Sequence, residues 1–154
     1  MAARSAGILL YRLAGAEAEV LLGHPGGPLW ARKDAGAWSI PKGEYADPEE
    51  PLAAAYREFH EELGLPVPAG EPVPLGVVRQ PGGKTVTAWA VRGDLDVSAV
   101  TPGTFSMQWP PRSGRTASFP EVDRVAWFAL GVAREKLLRG QLPFLDRLLE
   151  IVGT

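Results

Sequence analysis

Apolar residues along the chain fall into short runs separated by Gly- and Pro-rich punctuation. Residues 5–13 (SAGILLYRL) form a near-continuous apolar stretch suited to a buried strand, and residues 19–25 (EVLLGHP) form a second. Gly15-Ala16-Glu17 between them predicts a hairpin turn. After a Gly/Pro/Trp loop, WSIPKG at 38–43 reads as a short extended piece. The period then changes: Leu52, Tyr56, Phe59 and Leu63 recur at i, i+4, i+7 and i+11, the stripe of an amphipathic helix. Asp47 is its expected N-cap, with Pro48 at the first position and Glu50 at capping-box spacing, while Gly64 and Pro66 stop it. Strands follow at 75–80 and 84–95, joined by Pro81-Gly82-Gly83. The second carries large or β-branched residues on both faces and is expected inside a sheet. Residues 104–109 read as a further strand, 110–123 as a loop and 124–130 as the last strand. Helices at 132–140 and 142–152 close the chain, the latter with Phe144, Leu145, Leu148, Leu149 and Val152 facing inward. Strands on both sides of a central helix, with closing helices, predict an α/β chain whose mixed sheet lies between helices.

Composition narrows the picture. At 154 residues the chain is expected to form a single domain, 1–154, with a core that needs no staples. The absence of cysteine excludes disulfides and thiolate metal sites. No N-terminal apolar run has the length or flanks of a signal peptide or membrane span, so a soluble, cytoplasmic protein with no membrane partner is expected. A net charge of −2 supplies no basic footprint for a nucleic-acid backbone, which argues against a polymeric nucleic-acid partner.

The candidate chemistry sits on the central helix. Glu58, Glu61 and Glu62 stand at i, i+3 and i+4, so three carboxylates share one face. Like charges so placed repel, and oxygen ligands of this kind suit a hard divalent cation, Mg²⁺ or Mn²⁺. Glu49 lies eight residues before Arg57, close to the same face, where an ion pair could tie the preceding loop to the helix.

The spacing Gly43, five residues, Glu49, seven residues, then Arg57-Glu58-Phe59-His60-Glu61-Glu62-Leu63-Gly64-Leu65 resembles the Nudix box and is complete at every specified position. Trp38, Pro41 and Lys42 resemble the W-x-x-P-K-G lead-in of many such enzymes. The resemblance implies a Nudix-type α/β/α sandwich with a catalytic loop-helix-loop. It further implies Mg²⁺ bound by Glu58, Glu61, Glu62 and the Gly43 carbonyl, with Arg57 orienting those ligands and Glu49 among the catalytic group. The general base is either a box glutamate or an acid near the last strand, Glu121 with Asp123 behind it. Lys42, Arg79, Lys84 and Arg112 are the expected phosphate-binding cations, with Arg32, Lys33 and Arg115 also available. Trp109 is the expected base-stacking aromatic, with Trp30, Trp38 and Trp89 as further choices. His24 and His60 are expected to be structural.

The family cleaves a nucleoside diphosphate linked to another group. SAGILLYR and GKTVTAWAV are similar to the branch that hydrolyses diadenosine polyphosphates, although its usual downstream tyrosine is replaced by Ala88 or a neighbour. ADP-ribose or nucleotide-sugar cleavage, MutT-like cleansing of nucleoside triphosphates, diphosphoinositol substrates, and a non-enzymatic nucleotide-sensing module are the alternatives. A small-molecule nucleotide is the expected partner, and a monomer or homodimer the expected assembly.

Overall fold

The computed structural model describes residues 3–152. The first hairpin forms as the pattern requires: β1 (Arg4–Ala14) pairs antiparallel with β2 (Glu17–Pro25) through its C-terminal half, Tyr11 opposite Val20. The N-terminal half of β1 pairs instead with the short β3 (Lys42–Tyr45), Ala6 opposite Gly43. Two strands thus share one edge of β1, and the gap where they part is where the site forms. The other edge of β1 runs parallel to β5 (Thr85–Arg92), which pairs antiparallel with β4 (Val73–Arg79). β8 (Val122–Ala129) adds to β2, giving the order β4-β5-β1-β2-β8 with β3 beside β1. The sheet is mixed, and β5 is interior, as its two apolar faces predict.

Helices cover both faces. α1 (Pro51–Leu63) packs Ala54, Ala55, Phe59 and Leu63 against Ile8, Leu10 and Leu21. On the opposite face α2 (Leu130–Lys136) and α3 (Leu142–Val152) enclose Leu9, Leu22, Val86 and Ala88, with Phe144, Leu145 and Leu148 fully buried. Full burial of each such side chain stabilises the fold by roughly 1.5–3 kcal/mol. Among the described residues no helix is long and apolar enough to cross a membrane.

Three departures from the expected elements have a visible cause. α1 starts at Pro51, with Glu50 and not Asp47 as N-cap and no side-chain capping bond. The cause is Pro51: the residue before a proline is steered out of the helical region, and Glu50 is extended at φ −72°, ψ 140°. Residues 46–49 instead form a turn closed by Glu49 N–H donating to the Ala46 carbonyl (3.0 Å). The stretch read as a loop over 110–123 contains a strand, β7 (Thr116–Pro120), paired with β6 (Thr104–Gln108) in a separate two-stranded ribbon. Its Ala117 and Phe119 alternate with polar residues, but so few positions amid Pro, Ser and Gly give too short a period to read. The first closing helix ends at Lys136 because Leu137 is drawn into a parallel bridge with Trp38.

Candidate active site

Where β2 and β3 part, a cleft of about 380 Å³ opens between the sheet edge and α1. Its lining includes Gly23, Lys42, Gly43, Glu58, Glu62 and Glu121, with Trp30 and Leu138 forming walls. The lead-in to β3 is held by backbone bonds between Ser39 and Gly23 in both directions (2.9 and 3.0 Å) and by buried Gln141, whose Oε1 accepts from Ile40 N–H (3.1 Å). Gly43 has a direct reason to be glycine: a Cβ there would stand 1.9 Å from Glu58 Oε2. The chain comes this close to the carboxylate only because no side chain intervenes.

Arg57 organises the acids. Its Nε and Nη2 donate to the two carboxylate oxygens of Glu49 (2.7 and 2.8 Å), a two-point pair, and Nη1 donates to Glu58 (2.8 Å) and Glu61 (3.1 Å). Hydrogen bonding to Arg57 lowers the Glu49 pKa, and the bond to Glu49, followed by that to Glu58, raises the guanidinium's. The Glu49–Arg57 pair therefore does tie the 46–49 turn to the helix. The side chain of Glu58 is 15% exposed and that of Glu61 53%, so Glu58 faces into the cleft while Glu61 stands at its rim.

Glu62 lies deepest. One of its oxygens accepts from Lys42 N–H (3.2 Å), and the other is 3.8 Å from where a Gly23 Cβ would be. Burial pushes its carboxyl up to about 8, and the charges of Glu121 and Glu58 push the same way against Lys42. Glu121 arrives from the far side. The last carbonyls of α1 accept from a following segment, Glu61 from Gly103 (3.1 Å) and Leu63 from Thr101 (2.8 Å), and Glu121 N–H in turn donates to Gly103 O (2.8 Å). Through this chain of bonds the start of β8 is fixed against the acidic face. Partial burial, then the charges of Glu58 and Glu61, raise the Glu121 pKa.

Three carboxylates, Glu58, Glu62 and Glu121, thus line one cleft, with Glu61 beside it and Lys42 and Arg57 as the nearby cations. Among the described residues no three of them close on a single point as the side chains stand, since Arg57 occupies the position between Glu58 and Glu61. The donor set nevertheless fits a hard divalent ion: it is all oxygen, and Glu62 and Glu121 are each raised first by burial and then by neighbouring carboxylates.

The remaining expected residues divide. Lys42 lines the cleft, but Arg79 and Lys84 flank the β4–β5 turn on the far side of β1 and do not line it. Arg112 and Trp109 lie at the tip of the β6–β7 ribbon, also outside the cleft. Ala88 is buried in the core beneath the closing helices, and Trp89 packs on the α1 side. Trp30 is the aromatic that lines the cleft. Asp123 turns away from Glu121 to meet fully buried His24, with Nδ1 to Oδ1 at 2.7 Å, while His24 Nε2 donates to the Lys33 carbonyl (2.6 Å). Phe105 and Met107 were not singled out by sequence reasoning, yet they line a pocket beside the cleft with Trp30 and Glu121. Their alternation with Ser106 was the available signal.

The chain is 31% identical over 114 residues to the RNA pyrophosphohydrolase of Pseudomonas paraeruginosa, covering 72% of this chain and 56% of that protein. The chain spans about half the length of such curated relatives. The Ap4A hydrolase of C. elegans in a binary complex superposes with a TM-score of 0.68 at 18% identity, covering 96% of this chain and 97% of that one. The NUDIX domain of Shewanella oneidensis NrtR complexed with ADP ribose superposes at 0.67 with 16% identity, over 99% and 89% of the two chains. The NUDIX domain model matches residues 1–148, and the chain belongs to that family.

Proposed function

We propose that the cleft is a Mg²⁺-dependent pyrophosphohydrolase site that cleaves a phosphoanhydride bond in a nucleoside polyphosphate. The observation that carries this reading is the convergence of Glu58 and Glu62 from α1 and Glu121 from the start of β8 on one cleft, with glycine at 43 because Glu58 occupies the space of its Cβ. The chain belongs to the NUDIX family over residues 1–148, and we read it as a pyrophosphohydrolase in which residues 1–154 act as one domain. Glu58, Glu61, Glu62 and the Gly43 carbonyl would hold the cation. When bound, Mg²⁺ (or Mn²⁺) neutralises phosphoryl oxygens and lowers the pKa of water. Arg57 fixes the direction of Glu58 and Glu61 and carries no substrate itself. Lys42 supplies a cation at the cleft wall for a phosphate oxygen. Glu121 is the base: its raised pKa brings it nearer the pH at which proton acceptance from water is effective.

Within that class, a dinucleoside polyphosphate is the leading substrate, supported by the resemblance of SAGILLYR, the W-x-x-P-K-G lead-in and above all GKTVTAWAV to that branch. A specific observation favours a second reading, the 5′-polyphosphate end of RNA: the curated relatives are RNA pyrophosphohydrolases. A terminus needs only its phosphates in the cleft, so the net charge of −2 weighs less against it than against a long backbone. The test is a panel with Mg²⁺ comprising diadenosine tetraphosphate, ADP-ribose, a nucleoside triphosphate and a 5′-triphosphorylated RNA oligonucleotide, with products identified. Turnover of diadenosine tetraphosphate at the highest kcat/KM supports the leading reading. Preference for the RNA end moves the assignment to the second, and binding without turnover of any of them identifies a sensing module.

A further inference from the structure

We infer that the Gly26–Trp30 loop and the β6–β7 ribbon form a nucleobase subsite opening from the hydrolytic cleft, with Phe105 and Met107 as its floor and Trp30 as the wall common to both. The inference rests on the reading of the cleft as a polyphosphate site. A second pocket of about 210 Å³ lies between that loop and the ribbon. It shares Pro25, Trp30 and Glu121 with the cleft, so a ligand whose phosphates meet the acidic face has a continuous path into it. Together the two spaces fall in the range of about 300–1,000 Å³ usual for small-molecule sites.

The chemistry of the second pocket differs from that of the first. Its side chains are Pro25, Pro28, Leu29, Trp30, Phe105 and Met107, with Glu121 alone charged and at the boundary. Flat, apolar, polarisable walls bind a ring by its face and offer nothing to a phosphate or a sugar hydroxyl. Of the parts of a nucleotide, the base is the one that matches. Trp30 is held by Lys33, whose Nζ lies 4.9 Å from the ring centroid, and by the core it packs against, so the part of it that lines the pocket stands in a fixed place.

The pocket is also held in shape without a ligand. Gly27 has φ +94° and presents a bare Cα to Phe105, whose Cζ would be 2.9 Å from a Cβ there. Gly26 N–H donates to the Glu121 carbonyl (3.0 Å), and a Cβ on Gly26 would stand 2.0 Å from the Pro120 carbonyl oxygen. Phe105 is paired across the ribbon with Phe119, ring centroids 6.0 Å apart. Two glycines thus let the loop pack against the ribbon, and little ordering is left for a base to impose. Glu121 is fixed by backbone bonds to Gly26 and Gly103 and by neither Phe105 nor Met107, so removing either side chain leaves the proposed water-activating carboxylate in place.

The experiment compares wild type with Phe105→Ala, Phe105→Leu and Met107→Ala on two substrates with Mg²⁺: the best nucleotide of the panel and the base-free diphosphate ester 5-phosphoribosyl 1-pyrophosphate. Loss of one stacking contact should raise KM for the nucleotide roughly tenfold in Phe105→Ala, with kcat within about twofold and the base-free substrate unaffected. Phe105→Leu, which keeps the apolar volume, should fall between. An unchanged nucleotide KM, or equal loss on both substrates, overturns the subsite. Calorimetric binding of adenosine 5′-(α,β-methylene)diphosphate separates the two claims. Weaker binding to Phe105→Ala with no turnover by wild type would remove the hydrolase reading and leave the subsite; equal binding alongside normal turnover would remove the subsite and leave the hydrolase.

Discussion

Arg57 touches three glutamates at once, and that placement explains how acids of like charge sit on one helix face. Arg57→Ala leaves Glu49 and Glu58 without their partner. Mg²⁺ affinity, read from the Mg²⁺ dependence of initial rates, should fall by about 10–100-fold, the usual effect of removing a ligand-orienting contact. Arg57→Lys should restore little, because a single ammonium cannot reproduce the two-point bond to Glu49; unaltered Mg²⁺ dependence in both variants would remove the orienting role. Gly43→Ala makes a different point. The atoms in its way belong to the carboxylate end of the Glu58 side chain and not to backbone, so the fold should lose no more than about 1 kcal/mol while the carboxylate is displaced. A drop in kcat/KM of at least tenfold at a nearly unchanged melting midpoint is expected; wild-type activity would show that Glu58 need not stand where it does.

At the scale of elements, the site depends on how α1 ends. Gly64 adopts φ 72°, its N–H bonds the His60 carbonyl (2.7 Å), and a Cβ on it would lie 2.3 Å from the Thr101 carbonyl oxygen. Gly64→Ala should therefore cost about 1–3 kcal/mol and lower the melting midpoint by several degrees. Because Thr101 and Gly103 carry Glu121 to the cleft, the substitution should also reduce turnover; thermal unfolding and initial rates read the two effects separately. Elements of this kind divide by how much of their placement is local. The β1–β2 hairpin, β5 and α3 were legible because their apolar periods are long and their turns carry Gly or Pro. The cluster on α1 was legible because i, i+3, i+4 spacing fixes a face by itself. The start of α1 was misplaced because two prolines compete, and only the second begins the helix. Arg79, Lys84, Arg112 and Trp109 seemed equal to Lys42 as phosphate or base contacts, since no local pattern says on which side of a sheet a turn will fall. Trp30, Phe105 and Met107 come from two distant segments whose meeting depends on Gly26 and Gly27, a contact no one-dimensional period encodes.

For the molecule as a whole, the buried acid has a pH signature. The Glu62 carboxyl titrates near 8 in the folded chain, against about 4.3 unfolded. Between those values the folded state binds more protons, so the stability of metal-free protein is greatest below the lower value and declines as pH rises, the loss being complete above about 8. The raised Glu121 contributes in the same direction. Denaturant midpoints of metal-free wild type should therefore fall from pH 5 to pH 8.5, and Glu62→Gln should flatten the trend. A profile identical in the variant would mean that Glu62 is not the buried acid responsible.

The proposed cation-assisted cleavage of a phosphoanhydride is tested most directly by the Mg²⁺ dependence of diadenosine tetraphosphate hydrolysis in wild type and in Glu62→Gln. The account predicts turnover that requires the cation in wild type and is reduced by orders of magnitude in the variant, with a melting midpoint no lower than wild type's. Hydrolysis by Glu62→Gln at the wild-type rate, or turnover indifferent to chelation of Mg²⁺, would contradict it.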